Sequence, residues 1–431
     1  MIETAVQAVK DLEEMGASEA ESYIQNSIER VISVRGGIWN RRKKKDICIG
    51  LRTFVGNQKG FAAGTLPMCS LEEIEKASLV LSRCTAPDPS WEHLPHSKPV
   101  TEPEGIYDRK IATMSEEDFM DEVQMMVDTA GVLSCFADCT VISRVEDVAI
   151  ANTHGVEGFY QGTKVDITFS CKKGEGEATS GWHSRNLDIN LENLAAKTAE
   201  RALKMKNISK IDHTFTGEAV ILPEALEYTL LACVKWAVHG ENFYSKRSRF
   251  AQTGEEVASH VLTITDDGLL SRGVRSAPFD GEGNPMQKTD IIEKGIFVHV
   301  LHSEYSANKY GETSTGNAYR SATREPYIDS TNFIVKPGGY SLDRLIQQVD
   351  KGVLIRDFSG DIDPSSGYFN GRGEGSSIRN GEIQFHIKNL HVQGNAFESL
   401  KNVQLVGKDQ ECSHDGMYAV PVLTSGVMVI P

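Results

Sequence analysis

The sequence has no unbroken apolar run approaching the roughly 20 residues that a membrane-spanning helix needs. It has no Cys-x-x-Cys pair. The eight cysteines (Cys48, Cys69, Cys84, Cys135, Cys139, Cys171, Cys233 and Cys412) are scattered, and no second Cys or His pair follows Cys135 and Cys139 at zinc-finger spacing. They read as reduced, mostly buried thiols. Positive charge is in deficit: 45 Lys and Arg against 60 Asp and Glu leave a net charge of −15, which repels nucleic acid. There is no Gly-x-Ser-x-Gly, and no Ser or Cys is set beside a His as a nucleophile. The opening "MIETAVQAVKDLEEMG" is acidic and amphipathic and lacks the basic and apolar regions of a secretory leader, so a cytoplasmic location is expected.

What is there fits a soluble globular chain of two to three domains: 431 residues, 40% hydrophobic and 24% charged. Residues 3–15 place Ala5, Val6, Ala8, Val9, Leu12 and Met15 on one helical face. Alternating strands are expected in "AESYIQ", "RVISVRGG" and "DICIGLRTFVG", with the basic run "RRKKKD" (residues 41–46) as the solvated end of a hairpin. Ser70 and Glu73 form a capping box and start a helix. The Pro-rich residues 86–99 read as a linker. Ser115 caps a second helix through about residue 129, strands follow, and another helix covers about 191–206. Residues 1–85 and 105–210 thus share a loosely similar αββ-like order, without a sequence repeat strong enough to call a duplication.

From Gly217 onward, after one long helix at 223–239, strands and turns dominate. "SSIRNGEIQFHIKN" is a hairpin around Asn380-Gly381, the pair that a type I′ turn prefers. The expected class is α+β, with an N-terminal mixed subdomain and linker (1–99), a second α+β subdomain (100–215) and a β-rich C-terminal domain (216–431).

Candidate chemistry is sparse. In "LLACVKWAVHGENF" His239 is placed last in the helix and Glu241 beyond Gly240; a helix-borne zinc motif needs a second His one turn away, and the nearest are His213 and His260. In "HVLHSEYS" a strand would put His302 and Glu304 on one face and His299 on the other. "GRGEGSS" (371–377) lacks the following Lys and the strand-to-helix setting of a phosphate loop, so its glycines are read as tight turns or close backbone approach.

Several stretches together resemble the TldD/PmbA family of peptidase subunits, in which PmbA is also called TldE. They are "HVLTITDDG", "APFDGEGNP", "SANKYGETSTGNAYR", "STNFIVKPGGYSLDRLI", "GDIDPSSGYFNGRGEGSSIRNGEI" and "VQGNAFESLKNVQLVG", with "MGASEAESYIQNS" and "IGLRTFVGNQKGFAAG" nearer the start. Any one is weak; six in the family's order are specific. The resemblance implies a cytosolic homo- or heterodimer whose catalytic half carries an HExxxH zinc helix and a later Cys ligand, and which cleaves extended, unstructured peptides in an enclosed cavity. Setting Phe243 on the phenylalanine that follows the motif puts Ala232, Cys233 and Ala237 where His, Glu and His belong. Cys412 falls near the third ligand, with a spacing to the chain end that departs from the pattern.

The chain therefore resembles the PmbA/TldE side: a non-catalytic subunit, with no cofactor or metal expected of its own and zinc expected in a TldD-like partner. His302, Glu304 and Asn317 are candidates for lining the peptide cavity. Two alternatives stay open. One is a stand-alone metallopeptidase with a site built from His239, Glu241, His260 or Cys412; the other is a peptide-binding scaffold homodimer.

Overall fold

The computed structural model describes every residue of the chain except Lys206; the far end of the helix expected at 191–206 lies outside the described residues. Two units of the same order, αβββα, make the N-terminal half. The first runs α1 (Ile2–Glu14), β1 (Glu19–Arg35), β2 (Ile38–Val55), β3 (Gln58–Leu66) and α2 (Leu71–Cys84). The second begins with a short turn, α3 (Arg109–Thr113), then α4 (Glu116–Val132), β4 (Phe136–Asn152), β5 (Glu157–Lys173), β6 (Gly176–Ser184) and α5 (Leu191–Lys204). Both capping boxes form: Ser70 accepts from the Glu73 N–H and Ser115 from the Asp118 N–H, and each carboxylate reaches back to the cap N–H.

The six strands form a single sheet in the order β3-β2-β1-β4-β5-β6, so the two units meet through the antiparallel β1–β4 pair, from Glu21 opposite Asn152 to Val34 opposite Cys139. Its outer strands, β3 and β6, escape a reading of alternation because they are rich in Gly and Ala. The reason is packing: a Cβ at Gly60 would lie 2.0 Å from the Ser78 carbonyl, so only glycine lets α2 rest against the β3 edge. The basic run is not a hairpin end. The turn is Gly36-Gly37, both at positive φ, and Arg41–Lys45 continue β2 as an exposed strand face paired with residues of β1.

Residues 86–99 have no regular structure, but they are not a loose linker. Leu94 is fully buried, and the Trp91 ring stacks on Phe54 at 3.8 Å between centroids. Asp88 also accepts from the Tyr305 hydroxyl at 2.9 Å, so the segment straps the first unit to the C-terminal half.

In that half, β7 (Phe215–Ile221) pairs in parallel with Lys351–Ile355 and antiparallel with Val422–Ile430. Val422–Ile430 pairs with Glu382–Asn395, which pairs with Tyr368–Arg379, which returns to Lys351–Ile355. Five strands thus close on themselves, which leaves no free edge among them. The Asn380-Gly381 hairpin is present with φ of +47° and +77°, as a type I′ turn requires. The glycines of "GRGEGSS" lie in this ring, not in a turn: a Cβ at Gly373 would lie 2.1 Å from the Asp357 carbonyl. A second, six-stranded sheet ends at one edge in the short strand Glu411–Cys412. The architecture is a mixed sheet domain followed by a β-rich domain. Among the described residues no helix is long and apolar enough to cross a membrane.

Candidate functional site

The long helical segment after β7 is three pieces in series: α6 (Pro223–Leu226), one π turn over Glu227–Leu231 and α7 (Ala232–Ala237). Proline opens it, where a missing N–H costs nothing. Its buried stripe includes Leu226, Leu230, Val234 and Val238, packed in the large C-terminal core with Phe250 and Phe297. Cys233 and Ala237 belong to that same core and are fully buried, whereas Ala232 is half-buried. Burial pushes the Cys233 thiol up to about 12, away from the thiolate that binds metal.

The helix does not run to His239. A pair of backbone bonds, Leu301 N–H to the Val238 carbonyl (2.8 Å) and Gly240 N–H to the Leu301 carbonyl (2.9 Å), draws the chain out after Val238. His239 is therefore extended and caps α8 (Gly240–Tyr244), which contains Glu241. The His239 Nε2 is buried without a partner, and burial lowers its pKa to about 4, so the ring is neutral.

"HVLHSEYS" is not a strand either. Ser303 caps α9 (Glu304–Tyr310), so His302 precedes a helix and Glu304 begins it. His302 Nδ1 lies 3.0 Å from the Ser306 hydroxyl; its Nε2 is buried and unpartnered, and burial lowers its pKa to about 4. Glu304 accepts from the Asn284 amide at 3.0 Å. Asn317 donates to Asp266 at 2.7 Å and accepts from the Thr315 hydroxyl. All three are buried, and the His302 carbonyl accepts from the Asn317 N–H, so they are close in space. Of the three, Asn317 borders a cavity of about 350 Å³, shared with Arg275 and Arg320.

A larger cavity, about 550 Å³, lies where two sheet edges meet. Thr179, Gly181 and His183 of β6 form one wall and Glu411 and Cys412 the other, while Pro223, Glu224 and Glu227 at the start of the helical segment close one end. Among the described residues β6 pairs only with β5, and Glu411–Cys412 only with Met417–Ala419, so both present unpaired backbone groups. Three carboxyls line it: burial raises that of Glu227 to about 7, and those of Glu224 and Glu411 also move up for the same reason. Burial pushes Cys412 to about 12, and its thiol donates to the Ser413 carbonyl.

Among the described residues no three of His239, Glu241, His260 and Cys412 lie close enough together to share an ion. Among the described residues the one group of three His, Cys, Asp or Glu donors close enough for a shared ion is Asp166, His183 and His414. Reading along the chain missed it, because His414 is contributed from the far end of the sequence. The signal available was partial: once β5 and β6 are known to be a hairpin, Asp166 and His183 fall opposite each other.

Residues 216–430 match the model of the PmbA/TldA metallopeptidase C-terminal domain, and residues 109–206 that of the PmbA/TldA metallopeptidase central domain. The chain belongs to the PmbA/TldD family. It is 30% identical to the uncharacterized protein MJ0231 of Methanocaldococcus jannaschii over 71% of this chain and 73% of that one. It is 23% identical to the metalloprotease PmbA of Escherichia coli O157:H7 over 95% of this chain and 92% of that one. Two archaeal metalloproteases are matched over only 48% and 57% of their own lengths. The crystal structure of TldE from Thermococcus kodakarensis superposes with a TM-score of 0.89 at 20% identity, covering 99% of this chain and 100% of that one.

The zinc of a metallopeptidase does not fit the helix in this chain. Alanine offers no donor atom at 232 or 237, and Cys233 is a packed core thiol rather than a carboxylate that could polarise water.

Proposed function

We propose that this chain is the non-catalytic, PmbA/TldE-like subunit of a cytosolic zinc metallopeptidase. It binds and encloses extended peptides, and the catalytic zinc is held by a TldD-like partner. One observation supports the reading: Cys233 and Ala237 are packed in the core and Ala232 carries no donor, at the three positions that the resemblance assigns to the family's ligands and base. The cavity of about 550 Å³ supports the peptide half of it. Two unpaired strand edges facing one cleft suit an extended chain, whose backbone can pair with either edge irrespective of its sequence.

The test is to express the chain alone and together with an HExxxH-bearing relative from the same genome, then assay a disordered peptide. Hydrolysis by the pair, none by the isolated chain, and one complex containing both chains by native mass spectrometry are expected. Chelator-sensitive hydrolysis by the isolated chain would overturn the reading.

A further inference from the structure

We propose that Asp166, His183 and His414 form a binding site for one divalent transition-metal ion at the junction of the N-terminal sheet and the C-terminal domain. Asp166 on β5 and His183 on β6 are direct cross-strand partners, so their side chains share a sheet face. His414 arrives from the other domain on a tight turn, held by bonds from the Ser413 N–H to the Met417 carbonyl (2.9 Å) and from the Gly416 N–H to the Ser413 carbonyl (3.2 Å). The Nδ1 atoms of both imidazoles lie 2.9 Å from the same oxygen, Asp166 Oδ1, and the three donor atoms fall within 4.8 Å of one another.

The donor set decides the class of ion. Two imidazole nitrogens and one carboxylate suit zinc or a neighbouring late first-row metal, whereas Mg²⁺ and Ca²⁺ call for more oxygens. Asp166 is itself buried, and its Oδ1 is the oxygen that both imidazoles already share. His183 and His414 both border the 550 Å³ cavity, so further coordination positions open onto it.

Two cations oppose the ion: Arg144, whose Nη1 holds the other Asp166 oxygen, Oδ2, at 3.3 Å, and Lys164. Lys164 Nζ is 3.2 Å from His414 Nδ1 and 3.8 Å from Asp166 Oδ1, so an ammonium rests against the same donors. A metal ion has to displace it, and Lys164 also borders the 350 Å³ cavity, which gives the side chain somewhere to go. Like-charge repulsion makes Lys164 a competitor, so its removal must strengthen metal binding. Such a site would depart from the expectation from sequence that the chain holds no metal of its own, because its donors are brought together only by the fold.

The experiment uses the full chain, stripped with chelator and dialysed, without partner or peptide, titrated with Co²⁺ and then Zn²⁺. Expected are one equivalent of Co²⁺ with visible ligand-field absorption, its displacement by Zn²⁺, and a higher Tm with Zn²⁺ present. His183→Ala and His414→Ala each weaken binding at least about tenfold, Lys164→Met tightens it, and His299→Ala, at an exposed position outside the site, leaves it unchanged. If His183→Ala fails to fold, His414→Ala carries the test, since that side chain is 49% exposed. Absence of a saturable single equivalent, affinity indifferent to His414→Ala, or weaker binding in Lys164→Met overturns the proposal. Peptidase activity is not a readout, so failure of the subunit reading would leave this result standing.

Discussion

Gly240 and His302 stand so close that position 240 has no room for a side chain: a Cβ there would lie 2.3 Å from the imidazole Cε1. The contact joins the loop after the helical segment to the residue that precedes α9, and the backbone bonds between Val238, Leu301 and Gly240 fix it from both sides.

Gly240→Ala is accordingly expected to destabilise the protein by about 1–3 kcal/mol, the usual cost of forcing extra atoms into a packed site. The ring can give little, since His302 is buried with Ser306 on one side and Tyr244 nearby. A lower urea midpoint with an unchanged m-value would confirm it.

His239 and His302 predict an acid limit to stability. Burial holds both near a pKa of about 4, against about 6.5 in the unfolded chain. Because the folded values are depressed, the unfolded state takes up protons first as pH falls. Stability is therefore full above pH 6.5 and is lost progressively down to about pH 4, by roughly 3 kcal/mol per histidine. His239→Leu and His302→Leu should each flatten part of that slope in denaturation series between pH 4 and 8.

The buried ion network between the domains predicts an order of severity. Arg52 donates through Nε (2.9 Å) and Nη2 (2.6 Å) to Glu21 and through Nη1 to Glu282 (3.0 Å), and Arg320 also pairs with Glu21. Removing Arg52 leaves two buried carboxylates short of a partner, so Arg52→Ala should cost about 3–5 kcal/mol. Arg320→Ala leaves Glu21 its bidentate partner and should cost less. Thermal unfolding of the two variants side by side checks the ranking.

Installing the HExxxH motif at the positions that the resemblance assigns to it should create no chemistry. Cys233→Glu puts a carboxylate among Leu230, Val234 and their core neighbours, and Ala237→His puts a far larger ring at a fully buried core position. The triple variant A232H/C233E/A237H is expected to have a lower Tm and no chelator-sensitive peptidase activity.

Much of this protein is written locally. The helix starts at Ser70 and Ser115 rest on side chains three residues apart, and the Asn380-Gly381 turn rests on two neighbours, so short stretches of sequence sufficed to find them. The alanines at 232 and 237 were legible in the same way, because the absence of a donor atom needs no structure to establish. Other features depend on partners distant along the chain. The β1–β4 pairing that fuses two αβββα units into one sheet has no local signature, nor does the docking of Trp91 on Phe54 that turns an apparent linker into a strap. The end of the helix before His239 was set by Leu301, far downstream. Asp166, His183 and His414 are ordinary residues in ordinary strands and turns until folding closes the distance between two domains. Their meeting is a property of tertiary structure alone, because donor geometry exists only where separate segments of the chain converge.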